Sequence, residues 1–286
     1  QNKIMCSEKI IGKTFSKNFS ENIVALGGEN GFISLFRVGK NFYENSTKIL
    51  NEVNRVPIKK KNTMELKKEN SEKFSKDGPV NCLSWNKILS NFLISATQKG
   101  VIRCWDIKEG KKLFERKNFE SGISCLEWSP VVKTEFLFLK GDSVISFSDI
   151  RCRNIIQTQV SQKSIHSVHW TGHDSMIMVG EKKGKIGIYD KRKFDENLEA
   201  SKIFSFRGIK EDIKKFLFSP KRRNFLLVGK KGKIETWNYL DPMKFRRTSP
   251  VNVFSSPKDQ FDWIEVNQVE KVINLRWKKG FFLINQ

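Results

Sequence analysis

The sequence predicts an all-β chain folded as a β-propeller of four-stranded antiparallel blades. Three observations predict it: a six-residue apolar motif returns at nearly constant spacing, a glycine-led motif follows it with the same period, and the first motif puts apolar residues on both faces of a regular strand. Short sheets stacked around an axis give each blade a neighbour on both sides. A two-sheet sandwich leaves one face of each sheet in water and shows cleaner alternation.

The first motif reads VNCLSW (Val80 to Trp85), ISCLEW (Ile123 to Trp128), IHSVHW (Ile165 to Trp170) and IKKFLF (Ile213 to Phe218), each with apolar residues at i, i+3 and i+5. The closing aromatics Trp85, Trp128, Trp170 and Phe218 are 43, 42 and 48 residues apart. Residues i and i+3 of a regular strand lie on opposite faces, so this strand is expected to be apolar on both. A second short strand follows a polar turn: NFLISA from Asn91, EFLFLK from Glu135, SMIMVG from Ser175 and NFLLVG from Asn224. The third reads glycine, apolar, aromatic: Gly100, Ile102, Trp105; Gly184, Ile186, Tyr189; Gly232, Ile234, Trp237. One repeat keeps Val144 and Phe147 but has Asp142 at the glycine position, and an earlier unit, IVALGGENGFISLF from Ile23, supplies Gly31, Ile33 and Phe36.

From Phe36 to Trp105 is 69 residues, 27 more than the usual 42. The surplus is assigned to a lysine-rich insertion at about 51–76, which contains PIKKKN and ELKKENSEK and is too charged to pack. The chain is expected to be a single domain over 1–286, with divergent last blade or blades in 239–286. There VINLRW (Val272 to Trp277) is expected to open a blade with GFFLINQ behind it, and the N-terminal strand around Cys6 to Phe15 to complete it. The length fits six or seven blades, seven being slightly favoured.

Composition narrows the function. The 286 residues carry 53 Lys and Arg against 31 Asp and Glu, a formal charge of +22, and 40 of the 53 are lysine. Phe (23) outnumbers Leu (18), which fits codon bias in an AT-rich genome, while the positive field also attracts polyanions. Five cysteines without C-x-x-C spacing argue against a disulfide framework or zinc ribbon and favour a reducing compartment. Apolar runs such as Phe136 to Leu139 and Phe281 to Ile284 are far too short to span a bilayer. Gln1 to Lys13 is charged throughout, unlike a signal peptide, and a start without Met suggests a trimmed or partial chain.

The third strands end in Trp105-Asp106, Ser148-Asp149, Tyr189-Asp190 and Trp237-Asn238. Together with GPVNCLSWNKILSNFLISATQKGVIRCWDIKEGK from Gly78, SGISCLEWSP from Ser121, SDIR from Ser148 and FLFSPKRRNFLLVGKKGKIETWN from Phe216, these endings resemble the WD-repeat superfamily. Within it the chain resembles the periodic tryptophan protein 1 family of nuclear and nucleolar ribosome-assembly factors, over about 22–238. The resemblance implies a non-enzymatic scaffold in large-subunit assembly and pre-rRNA processing, with protein assembly factors and rRNA or the pre-ribosome as partners, in the nucleus and nucleolus. A scaffold of another complex, such as a COPII coat subunit in the cytoplasm, is the alternative. Asp149-Ile150-Arg151 and Asp190-Lys191-Arg192 resemble the D-x-R element of cullin ubiquitin-ligase substrate receptors. Gly78-Pro79 stands where a glycine-histidine pair is usual, and Lys99 where an aspartate is, so the family's Asp-His hydrogen-bond support is missing.

No catalytic, cofactor or metal site and no small-molecule substrate is expected. His166 and His169, three apart on a strand, are expected to face opposite ways, with His173 beyond them. Cys82 and Cys125 read as small core residues, and GKKGKI at Gly229 lacks the phosphate-loop pattern. The basic residues have an order of their own. Arg151, Arg153, Lys191, Arg192, Lys193, Lys221, Arg222 and Arg223 fall in turns that open on one propeller face and are the expected RNA or partner contacts, since guanidinium forks onto phosphate. Lys99, Lys182, Lys183, Lys185, Lys230, Lys231 and Lys233 mark a second basic face.

Overall fold

The computed structural model describes residues 4–16, 19–29, 31, 33–38, 63–65, 77–117, 121–152, 155–160, 164–171, 175–194, 201–219, 224–229, 231, 233–238, 252–255, 261–267, 272–277 and 280–285. They form antiparallel sheets whose strands follow one another in chain order. The first sheet holds β1 (Ile4–Ser16), β2 (Phe19–Gly28), β3 (Ile33–Val38) and β4 (Thr63–Glu65), and the second β5 (Val80–Trp85), β6 (Phe92–Thr97), β7 (Ile102–Asp106) and β8 (Lys111–Arg116). The third holds β9 (Ile123–Trp128), β10 (Glu135–Lys140), β11 (Val144–Asp149) and β12 (Ile155–Val160). The fourth holds β13 (Ile165–Trp170), β14 (Met176–Glu181), β15 (Lys185–Asp190) and β16 (Lys202–Arg207), and the fifth β17 (Ile213–Ser219), β18 (Asn224–Gly229), β19 (Lys233–Asn238) and β20 (Asn252–Ser255). A three-stranded sheet ends the series: β21 (Phe261–Asn267), β22 (Val272–Trp277) and β23 (Gly280–Asn285). Six sheets thus form among the described residues, connected in the up-and-down order of propeller blades.

Two terminal expectations change. VINLRW is β22, the middle strand of its sheet, because β21 precedes it and pairs Val266 with Ile273. The N-terminal strand pairs with β2 in the first sheet, Ile10 opposite Ile23, and does not complete the last one. The lysine-rich stretch at 51–76 supplies β4, with Met64 opposite Leu35; its other residues lie outside those described.

Two compact units divide the chain: Gln1–Gly141 with Phe147–Ile156, and Asp142–Ser146 with Gln157–Gln286. In the first unit, Val80, Leu83 and Trp85 of β5 join one core with Ala25, Ile33 and Leu35 of the first sheet. Ile123, Leu126 and Trp128 of β9 join another with Ile94, Ala96, Ile102 and Cys104 of the second. In the second unit, Ile213 and Phe216 of β17 pack with Met178, Ile186 and Ile188 of the fourth sheet.

In β5 and β9 the i, i+3, i+5 pattern is therefore one-faced, which corrects the expectation of a two-faced first strand. A β-bulge is the reason. The pairing register slips between Val80 and Cys82, between Ile123 and Cys125, between Ile165 and Ser167 and between Ile213 and Lys215. An extra residue early in the strand brings position i onto the face of i+3 and i+5. The two-sided burial that a propeller needs comes from the next strands: Leu93 and Trp105 belong to the core shared with the first sheet, while Ile94, Ala96, Ile102 and Cys104 belong to the core shared with the third.

The glycines that open the third strands serve the turn. Gly31, Gly100 and Gly184 have φ of 81°, 76° and 70°, a region costly for a side chain. The repeat with Asp142 meets the same need one residue earlier, at Gly141 (φ 61°). Asp142 is thereby free to bind the start of the fourth sheet. Its carbonyl accepts from Ile165 N–H at 2.6 Å and its carboxylate from the Ser164 hydroxyl at 2.9 Å.

Leu126→Ala is expected to lower stability by about 2–5 kcal/mol in denaturant unfolding, as for a fully packed leucine. Deleting Ser124 removes the bulge but leaves Ile123 two residues before Leu126, on the same face of a now regular strand, so it is expected to cost less than Leu126→Ala; a deletion costlier than Leu126→Ala would contradict this account.

Candidate functional site

Polar chemistry in this fold concentrates at the sheet ends, where the turns are held by short-range carboxylate and amide contacts. The aspartates that end the third strands act there. Asp106 Oδ1 accepts from the N–H groups of Lys108 (2.9 Å) and Glu109 (3.1 Å), while its Oδ2 accepts from Asn91 Nδ2 (3.1 Å). Asp149 accepts from Arg151 N–H (2.8 Å) and from the Thr134 hydroxyl (2.7 Å), and Asp190 from Arg192 N–H (3.0 Å). In the second and third sheets one carboxylate thus ties the turn after the third strand to the turn between the first two, as short aspartates do in Asx turns.

The same aspartates take up the arginines of the first predicted basic face. Arg151 Nη2 lies 2.7 Å from Asp149 Oδ2, and Arg192 Nη2 lies 2.8 Å from Asp190 Oδ2, although both guanidiniums are largely exposed. Burial acts to raise the Asp149 carboxyl, but hydrogen bonds from Arg151 and Thr134 outweigh it and bring it down to about 2. The Arg192 side chain is the main cause of a lowered Asp190 carboxyl. Lys191 Nζ sits 5.8 Å from the centre of the Trp170 ring, a cation–π distance. Lys193 is exposed on the same turn, and Arg153, Lys221, Arg222 and Arg223 lie outside the described residues.

The second predicted basic face occupies the turns between second and third strands of the fourth and fifth sheets. Lys182, Lys183 and Lys231 are exposed, Lys185 and Lys233 half-buried, and Lys230 lies outside the described residues. Two neighbouring acids hold these turns by their backbone. Asp212 Oδ1 accepts from Lys183 N–H at 2.9 Å, and Glu211 accepts from Lys231 N–H at 2.8 Å and Lys233 N–H at 3.0 Å. Lys99, in the equivalent turn of the second sheet, lays its aliphatic stem alongside Gly78.

Behind these turns, three sheets give the third-strand aromatic a buried acceptor in place of the missing Asp-His support. Trp105 Nε1 donates to Ser95 Oγ at 3.0 Å, and Trp237 Nε1 to Glu235 Oε2 at 3.1 Å. The Tyr189 hydroxyl donates to Glu181 Oε1 at 3.3 Å. Lys233 Nζ, at 3.0 Å from Glu235, and Lys185 Nζ, at 3.7 Å from Glu181, supply the opposing charge. Lys233, Glu235 and Trp237 alternate along one strand and share a face, so sequence spacing could have found this set. The Tyr189 set spans two strands and depends on Gly187, where an added Cβ would lie 2.4 Å from the Tyr189 ring.

Arg103, two residues before Trp105, is buried at 2% exposure, and no motif in the sequence marks it. It pairs with Asp77, and its Nε lies 2.7 Å from Glu115 Oε2. Burial works to raise the Glu115 carboxyl, yet hydrogen bonds from Lys112, Arg103 and Lys117 lower it to about 2.

The histidines depart from the opposite-face expectation. His166 lies in the bulge of β13, and both rings meet the fifth-sheet side: His166 Nε2 is 3.2 Å from Asp212 Oδ2, and His169 packs edge-on against Phe216 at 5.6 Å. They serve different partners, and His173 lies outside the described residues. Cys82 donates its thiol to the Ser124 carbonyl at 3.3 Å, bonding β5 to the bulge of the next sheet; Cys125 is half-buried.

These sheets and turns agree with the comparisons to known proteins. Residues 18–131 match the profile described as Anaphase-promoting complex subunit 4 WD40 domain. This stretch is similar to WD40 repeats. One chain of the crystal structure of the Mitotic Checkpoint Complex superposes with a TM-score of 0.65 at 13% identity, covering 92% of this chain and 72% of that one, which supports the β-propeller fold. Among curated proteins, protein transport protein sec31 of Aspergillus oryzae is 24% identical over 110 residues, 36% of this chain and 9% of that protein. Protein transport protein Sec31A of Gallus gallus is 22% identical over 107 residues, and Protein SUPPRESSOR OF PHYA-105 1 of Arabidopsis thaliana 22% identical over 114. The matched segments span about a tenth of these relatives' lengths. WD40 domains are in general protein-binding scaffolds, and no helix among the described residues is long and apolar enough to cross a membrane.

Two outcomes follow from these contacts. Arg103→Met leaves two carboxylates without their buried cation and is expected to cost about 3–5 kcal/mol in urea unfolding at neutral pH. The Glu115 carboxyl is lowered in the fold, so its contribution is complete above the ordinary glutamate pKa of about 4.3 and is lost as pH falls towards about 2. Acid unfolding of the variant is therefore expected to depend less on pH in that window. Gly187→Ala is expected to cost about 1–3 kcal/mol by displacing the Tyr189 ring, and Tyr189→Phe in the same background should recover none of it.

Proposed function

We propose that this WD40 domain is a non-enzymatic scaffold of large-subunit ribosome assembly and pre-rRNA processing, acting in the nucleolus with assembly factors and rRNA as partners. One feature carries the RNA contact: the same turn in two neighbouring sheets presents exposed lysines, Lys182 and Lys183 in one and Lys231 in the other, on backbones fixed by Asp212 and Glu211. A fixed turn holds ammonium groups at a set spacing for phosphates without losing backbone freedom on binding. The arginine turns are weaker phosphate sites than their residue types suggest, because Asp149 and Asp190 already neutralise Arg151 and Arg192. The net charge of +22 supplies the attractive field.

A second reading is a scaffold of protein transport such as a COPII coat subunit, favoured by the likeness to Sec31 proteins. Affinity purification from the native cell separates the two: large-subunit precursors are expected under the first, coat subunits under the second. Recovery of neither would remove both. For the purified chain, RNA affinity is expected to fall steeply between about 50 and 300 mM salt. Combined Lys182→Glu, Lys183→Glu and Lys231→Glu is expected to reduce the log–log salt slope by about 2, as for three lost phosphate contacts on a single strand. An unchanged slope would dismiss the lysine turns as the site.

A further inference from the structure

Four large apolar side chains stand out as exposed among the described residues: Ile88 at 46%, Val131 at 42%, and Leu113 and Val132 at 39% each. Three of the four sit on two equivalent turns, Ile88 between β5 and β6 and Val131 with Val132 between β9 and β10. Apolar groups gathered at one spot on a charged surface mark an interaction site more often than the same groups scattered.

The two turns are built as one platform. Asn86 is fully buried; its Oδ1 accepts from Ile88 N–H at 2.9 Å and Leu89 N–H at 2.8 Å, closing its own turn. Its Nδ2 donates to the Lys133 carbonyl at 2.7 Å, so one amide side chain fastens the Ile88 turn to the Val131 turn. Ser129 closes the second turn by accepting from Val131 N–H at 3.3 Å and Val132 N–H at 3.0 Å. Apolar side chains on a fixed backbone lose little further entropy on binding.

The rim is basic. Lys87 and Lys133 flank the apolar residues on the same turns, and both are exposed. The next turns join by hydrogen bonds: Ile107 N–H donates to the Asn91 carbonyl at 2.8 Å and Ile150 N–H to the Thr134 carbonyl at 2.9 Å, which brings the exposed Lys108 beside the platform, together with Arg151, whose charge is paired with Asp149. The aspartates of those turns, Asp106 and Asp149, are buried, and the exposed Glu109 is paired with Lys111. An apolar centre inside a basic rim complements a segment whose apolar residues are flanked by acids.

We propose that the Asn86-linked turns bearing Ile88, Val131 and Val132 form a docking surface for a short protein segment with apolar anchors between aspartates and glutamates. This surface belongs to the second and third sheets and shares no residue with the lysine turns proposed for RNA, so either can fail without the other. The test uses the whole chain and a fluorescein-labelled peptide pool in which a fixed Leu and Phe are flanked by randomised Asp and Glu, read by fluorescence anisotropy. Saturable binding is expected, with about tenfold or greater loss in the combined variant Ile88→Ser, Val131→Ser, Val132→Ser, as for removal of interface anchors. Lys87→Glu with Lys133→Glu is expected to weaken binding and flatten its salt dependence, and unchanged melting temperatures would show that both variants fold. Absence of saturable binding, equal binding of a pool flanked by Lys and Arg, or equal affinity in the triple serine variant would overturn the proposal. So would displacement of the peptide by RNA oligomers in a variant lacking the lysine turns. Sedimentation of the wild-type chain as a dimer and of the serine variant as a monomer would assign the surface to a second copy instead.

Discussion

Packing in this chain depends on the bulge near the start of each first strand. Without it, Val80 and Leu83, or Ile123 and Leu126, would point to opposite sides of their sheet. With it, three apolar side chains of β5 and three of β9 meet the preceding sheet. The bulge also leaves carbonyls off the regular ladder, and a buried polar group without a partner is costly. In β9 these carbonyls find donors on the neighbouring sheet: Asn81 reaches Ile123 O at 3.4 Å and Cys82 reaches Ser124 O at 3.3 Å. One irregularity thus sets both the apolar contact and a polar link between adjacent sheets.

Around that contact the sheets tolerate wide variation in their polar support. The aromatic of the third strand has serine as its acceptor in one sheet and glutamate in two others, each glutamate with a lysine near it. The second sheet also buries a full arginine between two acids. Each arrangement leaves no buried charge without its opposite, the condition under which ion pairs persist in a low-dielectric interior. High lysine content reaches even these positions, since the half-buried Lys185 and Lys233 place their ammonium groups beside the buried Glu181 and Glu235.

Charge is disposed differently at different sheet ends. Where an acid binds backbone amides, as Glu211 and Asp212 do, the turn stiffens and the lysine side chains stay exposed. Where an acid binds a guanidinium, as Asp149 and Asp190 do, the cation is partly spent within the molecule. Chemical identity alone ranks arginine above lysine as a phosphate ligand, and the pairing of Arg151 and Arg192 with aspartates works against that order here.

Much of the architecture was legible because propeller repeats write their period into the chain. The 42- to 43-residue spacing of Trp85, Trp128 and Trp170, the glycines at positive φ and the aspartates that close the third strands each follow from local chemistry. The insertion hid a strand, β4, because three residues without a motif pair only when a partner strand is beside them. VINLRW matched a first strand in composition and became a middle one, since strand rank is set by what lies alongside and not by residue type. The sequence by itself determined the number of repeats it marks, the apolar positions and the absence of any familiar catalytic pattern. Tertiary structure alone decided which face those positions share, which acids neutralise which basic residues, and that Asn86 joins two turns into one surface. The reason is physical: periodicity records local backbone preference, whereas bulge register, ion pairing and exposure arise from groups brought together across distant segments.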